Sequence, residues 1–210
     1  MRIAFLLLSL AAFLFLFNGC QVCSCKKVPC PSFNDPDALS LFPYSVNQKI
    51  VLGNSSNTDT ITIAYADQSP AYDADRGCVN GANACNTNYR VQSREMLANG
   101  PAKLEMDFSS STPFGSAVTT NYISLRLYNF NFTGWISSSQ GLQPNSVIYS
   151  VQHYNSVNIG GNTFSNVDLV IKDTTNSSNK THGPYKVYLA KNQGLVAYEN
   201  YPALDMWVKQ

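Results

Sequence analysis

Lys103-Leu104-Glu105-Met106-Asp107-Phe108 alternates charged and apolar residues without a break. A β-strand turns successive side chains to opposite faces. This stretch therefore sets Leu104, Met106 and Phe108 on a core face and Lys103, Glu105 and Asp107 in solvent. Just upstream, Asn99-Gly100 is a strong turn dipeptide, which makes Tyr89 to Leu97 the partner strand of a hairpin.

Working outward, the same period of two recurs and no segment from Leu39 onward holds a helical period for long. Gln48 to Gly53, the Asn54–Asn57 turn and Asp59 to Tyr65 predict another hairpin. Asn121 to Phe132 reads as one long strand, with Ile123, Leu125 and Leu127 on one face. Its other face carries Tyr122, Tyr128, Phe130 and Phe132, as in a strand covered on both sides. Further strands are expected at Ser146–Tyr154, Val157–Ile159, Thr163–Phe164, Val167–Lys172, Tyr185–Ala190, Leu195–Glu199 and Asp205–Lys209. Gly160-Gly161 and Lys191–Gly194 supply turns between them, and Asp173 to Pro184 is a polar loop. The expected fold is all-β, an antiparallel sandwich or curved half-barrel of roughly ten strands. Ala66 to Asn88 lacks a strand pattern and reads as an excursion on one edge.

The chain has 210 residues, of which 44% are hydrophobic and only 13% charged, and its formal net charge is +1. Without Arg2, the acidic and basic residues balance. Such neutrality excludes an electrostatic nucleic-acid binder, which needs a basic excess to displace counterions. It equally excludes a polybasic membrane binder, an acidic tail protein and a coiled coil.

Residues 1–19 read as a signal peptide: Arg2, then an apolar run from Ile3 to Phe17 broken only by Ser9, then Asn18-Gly19 before Cys20. The run is short for a spanning helix, which needs roughly 20 apolar residues. Large Phe17 at −3 disfavours ordinary signal peptidase, whereas a large apolar residue, Gly19 and Cys20 resemble a bacterial lipoprotein box. Phe17 replaces the usual Leu of that box. The resemblance implies thioether lipidation of Cys20, cleavage before it and acylation of its new amino group, with acyl chains such as palmitate. Each buried CH₂ contributes about 0.8 kcal/mol and one chain is only marginally retained, so several chains on Cys20 are what would make a stable membrane anchor. Gln21 follows instead of the Asp that resembles an inner-membrane retention signal, which favours the outer membrane. Lys26-Lys27 stand where surface-exported lipoproteins of Bacteroidota carry acidic residues.

Residues 20–38, rich in Cys and Pro, read as a tether, and residues 39–210 as a single antiparallel β domain. The six cysteines are Cys20, Cys23, Cys25, Cys30, Cys78 and Cys85. Cys78 and Cys85 bracket a turn-rich loop and are the natural disulfide. Closing so short a loop contributes about 2–3 kcal/mol in the chain-entropy picture. Cys23, Cys25 and Cys30 offer either one pair and a spare thiol, or a soft-metal site without histidine.

Three passages, Leu41–Lys49, Ile159–Val167 and Tyr188–Val196 with Trp207 near the end, resemble uncharacterised outer-membrane lipoproteins of Bacteroidota. The resemblance implies an envelope location and carries no catalytic residues. In that phylum Asp-Thr-hydrophobic triplets resemble O-glycan acceptors; Asp59-Thr60-Ile61 fits. Asn54, Asn131, Asn176 and Asn179 head Asn-x-Ser/Thr triplets, which matter only in a host that N-glycosylates.

No nucleophile elbow, zinc-protease motif, P-loop or dinucleotide fingerprint is present, so no catalytic residue and no cofactor is assigned. His153 is expected in a strand with Val147, Tyr149 and Val151 as a satisfied, half-buried imidazole, and His182 in a solvated loop. Asp67, Asp73, Asp75, Asn80 and Asn83 form the best polar constellation. Asp73-Ala74-Asp75 begins like a calcium loop, but Gly77 takes the fifth position and no closing Glu follows, so a solvated turn is the default reading. Tyr and Asn on loops suit sugar contacts. The sequence thus predicts a lipid-anchored envelope lipoprotein with a noncatalytic binding domain. Carbohydrate, protein and apolar ligands stand as candidate partners, and nucleic acid does not. The alternatives are a carrier of lipid or another apolar ligand in a half-barrel cavity, or a hydrolase without a recognisable motif.

Overall fold

A computed structural model describes residues 35–72, 78–79, 82–83, 85–98, 100–111, 120–137, 140–175 and 182–210. The chain divides into a smaller unit, residues 1–29 and 72–85, and a larger one, residues 30–71 and 86–210. The described part of the smaller unit contains a short hairpin of β3 (Cys78–Val79) and β4 (Ala82–Asn83).

The larger unit is all-β, as expected. Its strands begin with β1 (Lys49–Gly53), β2 (Thr58–Tyr72), β5 (Cys85–Ser93), β6 (Leu104–Ser111), β7 (Thr120–Leu127) and β8 (Phe130–Ser137). They continue with β9 (Gly141–Pro144), β10 (Tyr149–Ile159), β11 (Asn162–Lys172), β12 (Gly183–Ala190), β13 (Gly194–Tyr201) and β14 (Met206–Lys209). One antiparallel sheet holds all twelve in the order β10-β11-β12-β13-β14-β1-β2-β5-β6-β7-β8-β9, curled into a nearly closed barrel. Closing a sheet removes most of the unpaired edge that an open sheet would expose. The two end strands, β9 and β10, are consecutive in the chain. Tyr149 of β10 reaches across to β8, where its hydroxyl donates to the Asn131 carbonyl and its ring meets Phe130 and Phe132 edge-on at 5.5 and 5.4 Å.

Leu104, Met106 and Phe108 are fully buried, as their alternation requires. With Ile50, Leu52, Ile123, Leu125, Phe130 and Phe132 they form one core cluster. The long strand expected at Asn121–Phe132 is instead two strands joined by Tyr128-Asn129, with Leu127 paired to Phe130. Tyr128 has φ 54°, a left-handed conformation that ordinarily favours Gly or Asn, and the bulky ring hid the turn. The turn shifts the phase of the alternation, so Phe130 and Phe132 face the same core as Leu125 and Leu127. The second apolar face expected on that strand is therefore the core face of the next one.

The strands expected separately around residues 146–172 fuse into the long hairpin β10–β11, turned by Gly160 and Gly161 at φ 59° and 88°. Pairing of β11 with β12 starts only at Val167, beside Asn166 at φ 52°. Beyond that point the hairpin tip packs on the outside of the sheet. There Ile159 and Phe164 join Tyr188, Val196, Ala197 and Val208 in a second core. Val187 and Leu189 belong to the first core and Tyr188 and Ala190 to the second, so β12 is covered on both faces.

One end of the barrel is closed by α1 (Pro36–Leu41) and the segment after it, which straddle the tether boundary drawn at residue 38. Asp35 caps the helix, its carboxylate accepting from the Asp37 and Ala38 N–H groups at 3.0 Å, and Pro36 occupies the first turn. A six-residue helix has little intrinsic stability. Burial of Ala38, Leu41, Phe42 and Tyr44 in the first core holds it in place.

Candidate functional site

The other end of the barrel is built from strand ends and turns: the start of β2, the β5–β6 loop, the β7–β8 turn, the start of β12 and the β13–β14 turn. Between them lies an open cleft of about 770 Å³ lined by Tyr128, Tyr198, Tyr201 and Trp207, with Asp59, Asp205, Asn129, Asn200 and His182. Pairing of β13 with β14 sets Tyr198 directly opposite Trp207, and their rings stack 5.9 Å apart at 10°. Tyr198 is buried and supports the indole, which is only partly buried and lines the cleft. Tyr128 also leans on Tyr198, at 5.8 Å and 57°.

The carboxylates hold these rings. Asp59 accepts from the Tyr128 hydroxyl and pairs with Lys103 at 2.9 Å, while the Lys103 ammonium stands 5.7 Å from the Tyr128 ring centroid. Burial first, then the hydrogen bond to Asp59, raises Tyr128 far above the ordinary phenol range. Burial likewise raises Tyr198, with the Asp59 and Asp205 charges adding to it. Both phenols are neutral at physiological pH, and their hydroxyls are engaged, Tyr128 with Asp59 and Tyr198 with Tyr128. Trp207 Nε1 donates to Asp205 Oδ2 at 2.8 Å. Among the described residues the other oxygen, Asp205 Oδ1, is buried without a hydrogen-bond partner. A buried carboxylate oxygen left unpaired costs free energy, so it marks an acceptor that a donor could satisfy.

The turn carrying Asp205 is fixed by backbone bonds, from Leu204 N to Asn200 O at 2.8 Å and from Asn200 N to Asp205 O at 3.1 Å. It contains a cis Tyr201–Pro202 peptide. On the far wall, Asn129 donates through Nδ2 to the His182 carbonyl, and Gly183 at φ 121° lies so close that a Cβ there would meet Asn129 Oδ1 at 2.5 Å. Next to the cleft, Tyr185 stacks edge-on with Tyr201 at 6.0 Å and donates to Glu199, which also pairs with Lys186 at 2.9 Å.

The residues that the sequence singles out lie elsewhere. Asp73, Asp75 and Asn80 lie outside the described residues, as do the side chains of Cys78, Cys85 and Asn83, so the disulfide and the calcium-like loop fall outside the description. Cys20, Cys23, Cys25 and Cys30 do so too. Asp67 is exposed and accepts from the Gln68 N–H at 2.7 Å. Among the described residues no group of three or more His, Cys, Asp or Glu side chains could hold a metal ion.

His182, read as a solvated loop residue, is exposed and lines the cleft. His153 is satisfied by Asp168, Nδ1 to Oδ1 at 2.6 Å, with its side chain 42% exposed, the half-buried imidazole expected. Val147, placed on its face, is in a turn and fully exposed. The pair sits at the seam of the barrel, where Gly141 of β9 leaves His153 room: a Cβ on Gly141 would lie 3.0 Å from the imidazole. Burial raises the Asp168 carboxyl, against the opposing pull of the His153 hydrogen bond.

The cleft residues were visible one by one, as Tyr and Asn near turns, but their meeting depends on strand order. No protein-family model matches this chain, and no curated protein or solved structure is significantly similar to it.

Proposed function

We propose that the protein is a lipid-anchored lipoprotein of the outer membrane whose β domain binds a ligand without transforming it. Acyl chains on Cys20 anchor it, and residues after Cys20 tether the barrel to the membrane. The lipoprotein-box residues Phe17, Gly19 and Cys20 support the anchor. The observation that carries the binding role is the contrast between the barrel's two ends. One is packed shut by α1, and the other leaves four aromatic side chains and two carboxylates around an open cleft. Binding sites concentrate where loops on a rigid scaffold leave concave, partly apolar surface.

The polar groups there serve the rings. Asp59 is engaged by Lys103 and Tyr128, and one oxygen of Asp205 by Trp207, an arrangement that orients a recognition surface. Detergent phase partitioning of the full-length protein and its Cys20→Ala variant tests the anchor. The wild type should enter the detergent phase and the variant leave it; equal partitioning would contradict lipidation.

A further inference from the structure

We propose that the open-end cleft is a carbohydrate site, taking an uncharged glycan with one sugar ring on Trp207 and its hydroxyls on Asn129, Asn200 and Asp205. This deepens the binding role proposed above and rests on it.

Sugar rings present an apolar face of C–H groups and an equator of hydroxyls, so a protein that binds them pairs a flat aromatic surface with flanking amides and carboxylates. The cleft has both. Tyr198 fixes the plane of Trp207 from behind at 10°, and Asp205 fixes its edge through Nε1. These two contacts restrict the indole in the free protein, which lowers the ordering cost of binding. Asn129 and Asn200 both line the cleft; Asn200 offers an amide that donates and accepts, and Asn129, whose nitrogen is given to His182, an acceptor oxygen. Asp205 Oδ1 is the unspent acceptor. A hydroxyl donor there removes the cost of a buried, unpaired carboxylate oxygen. Oδ1 is covered in the free protein, so the hydroxyl reaches it only as the Tyr201–Asp205 turn opens, with the Tyr198–Trp207 stack left in place.

Charge selects the class further. Asp59 is balanced by Lys103, whereas among the described residues no cation hydrogen-bonds Asp205, an arrangement that favours an uncharged sugar over an acidic one. An organic cation is the rival ligand, since rings and carboxylates attract ammonium groups. Tyr198 and Trp207 stack nearly parallel at 10°, and the flat indole matches the face of a sugar ring better than a compact ammonium.

The chain has two tryptophans, and Trp135 lies in β8, outside the cleft. In a Trp135→Phe background the emission of Trp207 reports on the site alone. Full-length protein in detergent micelles is screened on an array of neutral oligosaccharides, and the best binder is then titrated against that emission. Tetramethylammonium and a fatty acid serve as rival probes. The expected result is saturable binding of a neutral oligosaccharide, weakened at least tenfold by Trp207→Ala and by Asp205→Ala. Trp207→Phe should retain part of the affinity, and near-ultraviolet circular dichroism confirms that each variant is folded.

Binding of tetramethylammonium or fatty acid with no response to any sugar would overturn the carbohydrate class while leaving a binding cleft. A sugar that binds folded Trp207→Ala as tightly as the parent would overturn the site. Mass spectrometry of the recovered oligosaccharide separates the two layers. Intact sugar upholds noncatalytic binding, whereas cleaved sugar contradicts that role and keeps the sugar assignment.

Discussion

The two ends of the barrel are made by the same sheet and finished in opposite ways. At the closed end, Phe42 is fully buried against Phe108, ring centroids 4.6 Å apart, and the buried Tyr44 hydroxyl accepts from the Leu195 N–H at 2.5 Å. At the open end the rings of Tyr201 and Trp207 stay partly exposed, and charged groups hold their neighbours in place. A barrel needs apolar closure somewhere to bury its interior, and one end suffices. The other is then free to carry groups chosen for what they bind. The proposed binding role separates recognition from stability along the barrel axis, and substitutions at the two ends should separate in the same way.

The largest effect is expected at the closed end. Phe42→Ala should lower unfolding stability by about 3–5 kcal/mol, the usual cost of truncating a buried aromatic. Denaturant unfolding of the full-length protein checks it. A loss below about 1 kcal/mol would mean that α1 does not seal the core. Gly194→Ala comes next. Gly194 has φ 72°, and a Cβ there would lie 2.1 Å from the Tyr44 hydroxyl oxygen, so both strain and overlap oppose it. A cost of about 2 kcal/mol or more is expected, with ligand binding at the far end unchanged in the folded fraction.

At the open end the order reverses, with small stability effects and larger effects on binding. Tyr128→Phe removes the phenol from Asp59 but keeps the ring, and Lys103 still pairs with the carboxylate. Thermal unfolding should register about 1–2 kcal/mol.

The smallest effect concerns Glu95, whose carboxylate accepts from the Thr62 N–H at 2.8 Å beside the β5–β6 loop. Burial tends to raise its pKa, but the Thr62 hydrogen bonds outweigh that and hold it below the ordinary glutamate value. A depressed carboxyl stabilises the fold above its unfolded-state pKa, and that contribution disappears as pH falls through the folded-state value. Glu95→Gln should therefore cost about 1 kcal/mol or less at neutral pH, and the gap to wild type should close on acidification below about pH 4. A gap that widens with acid would reverse the sign assigned to Glu95.

The sheet was largely legible because burial imposes a period of two, and Leu104, Met106 and Phe108 display it without interruption. Turns with the expected chemistry were also legible, such as Gly160-Gly161. Tyr128 was not, because a bulky residue in a left-handed position leaves no local signature. The sealing helix had a signal in Asp35-Pro36-Asp37, a cap followed by proline, but six residues are too few to show a period. The passages Leu41–Lys49 and Tyr188–Val196, singled out separately in the sequence, turn out to be bonded to each other through Tyr44 and Leu195. The cleft was least legible. Its residues come from positions near 59, 128, 182 and 200–207, and only the order of strands in the sheet brings them together.

The division of roles between the two ends is tested most directly by hydroxyl-radical footprinting of the aromatic side chains. Full-length protein is compared with and without the best-binding oligosaccharide. Protection of Tyr201 and Trp207, with Tyr44, Phe42 and Phe108 unreactive in both states, is the expected result. Protection confined to the exposed β10 edge, or reactive closed-end rings in the free protein, would contradict it.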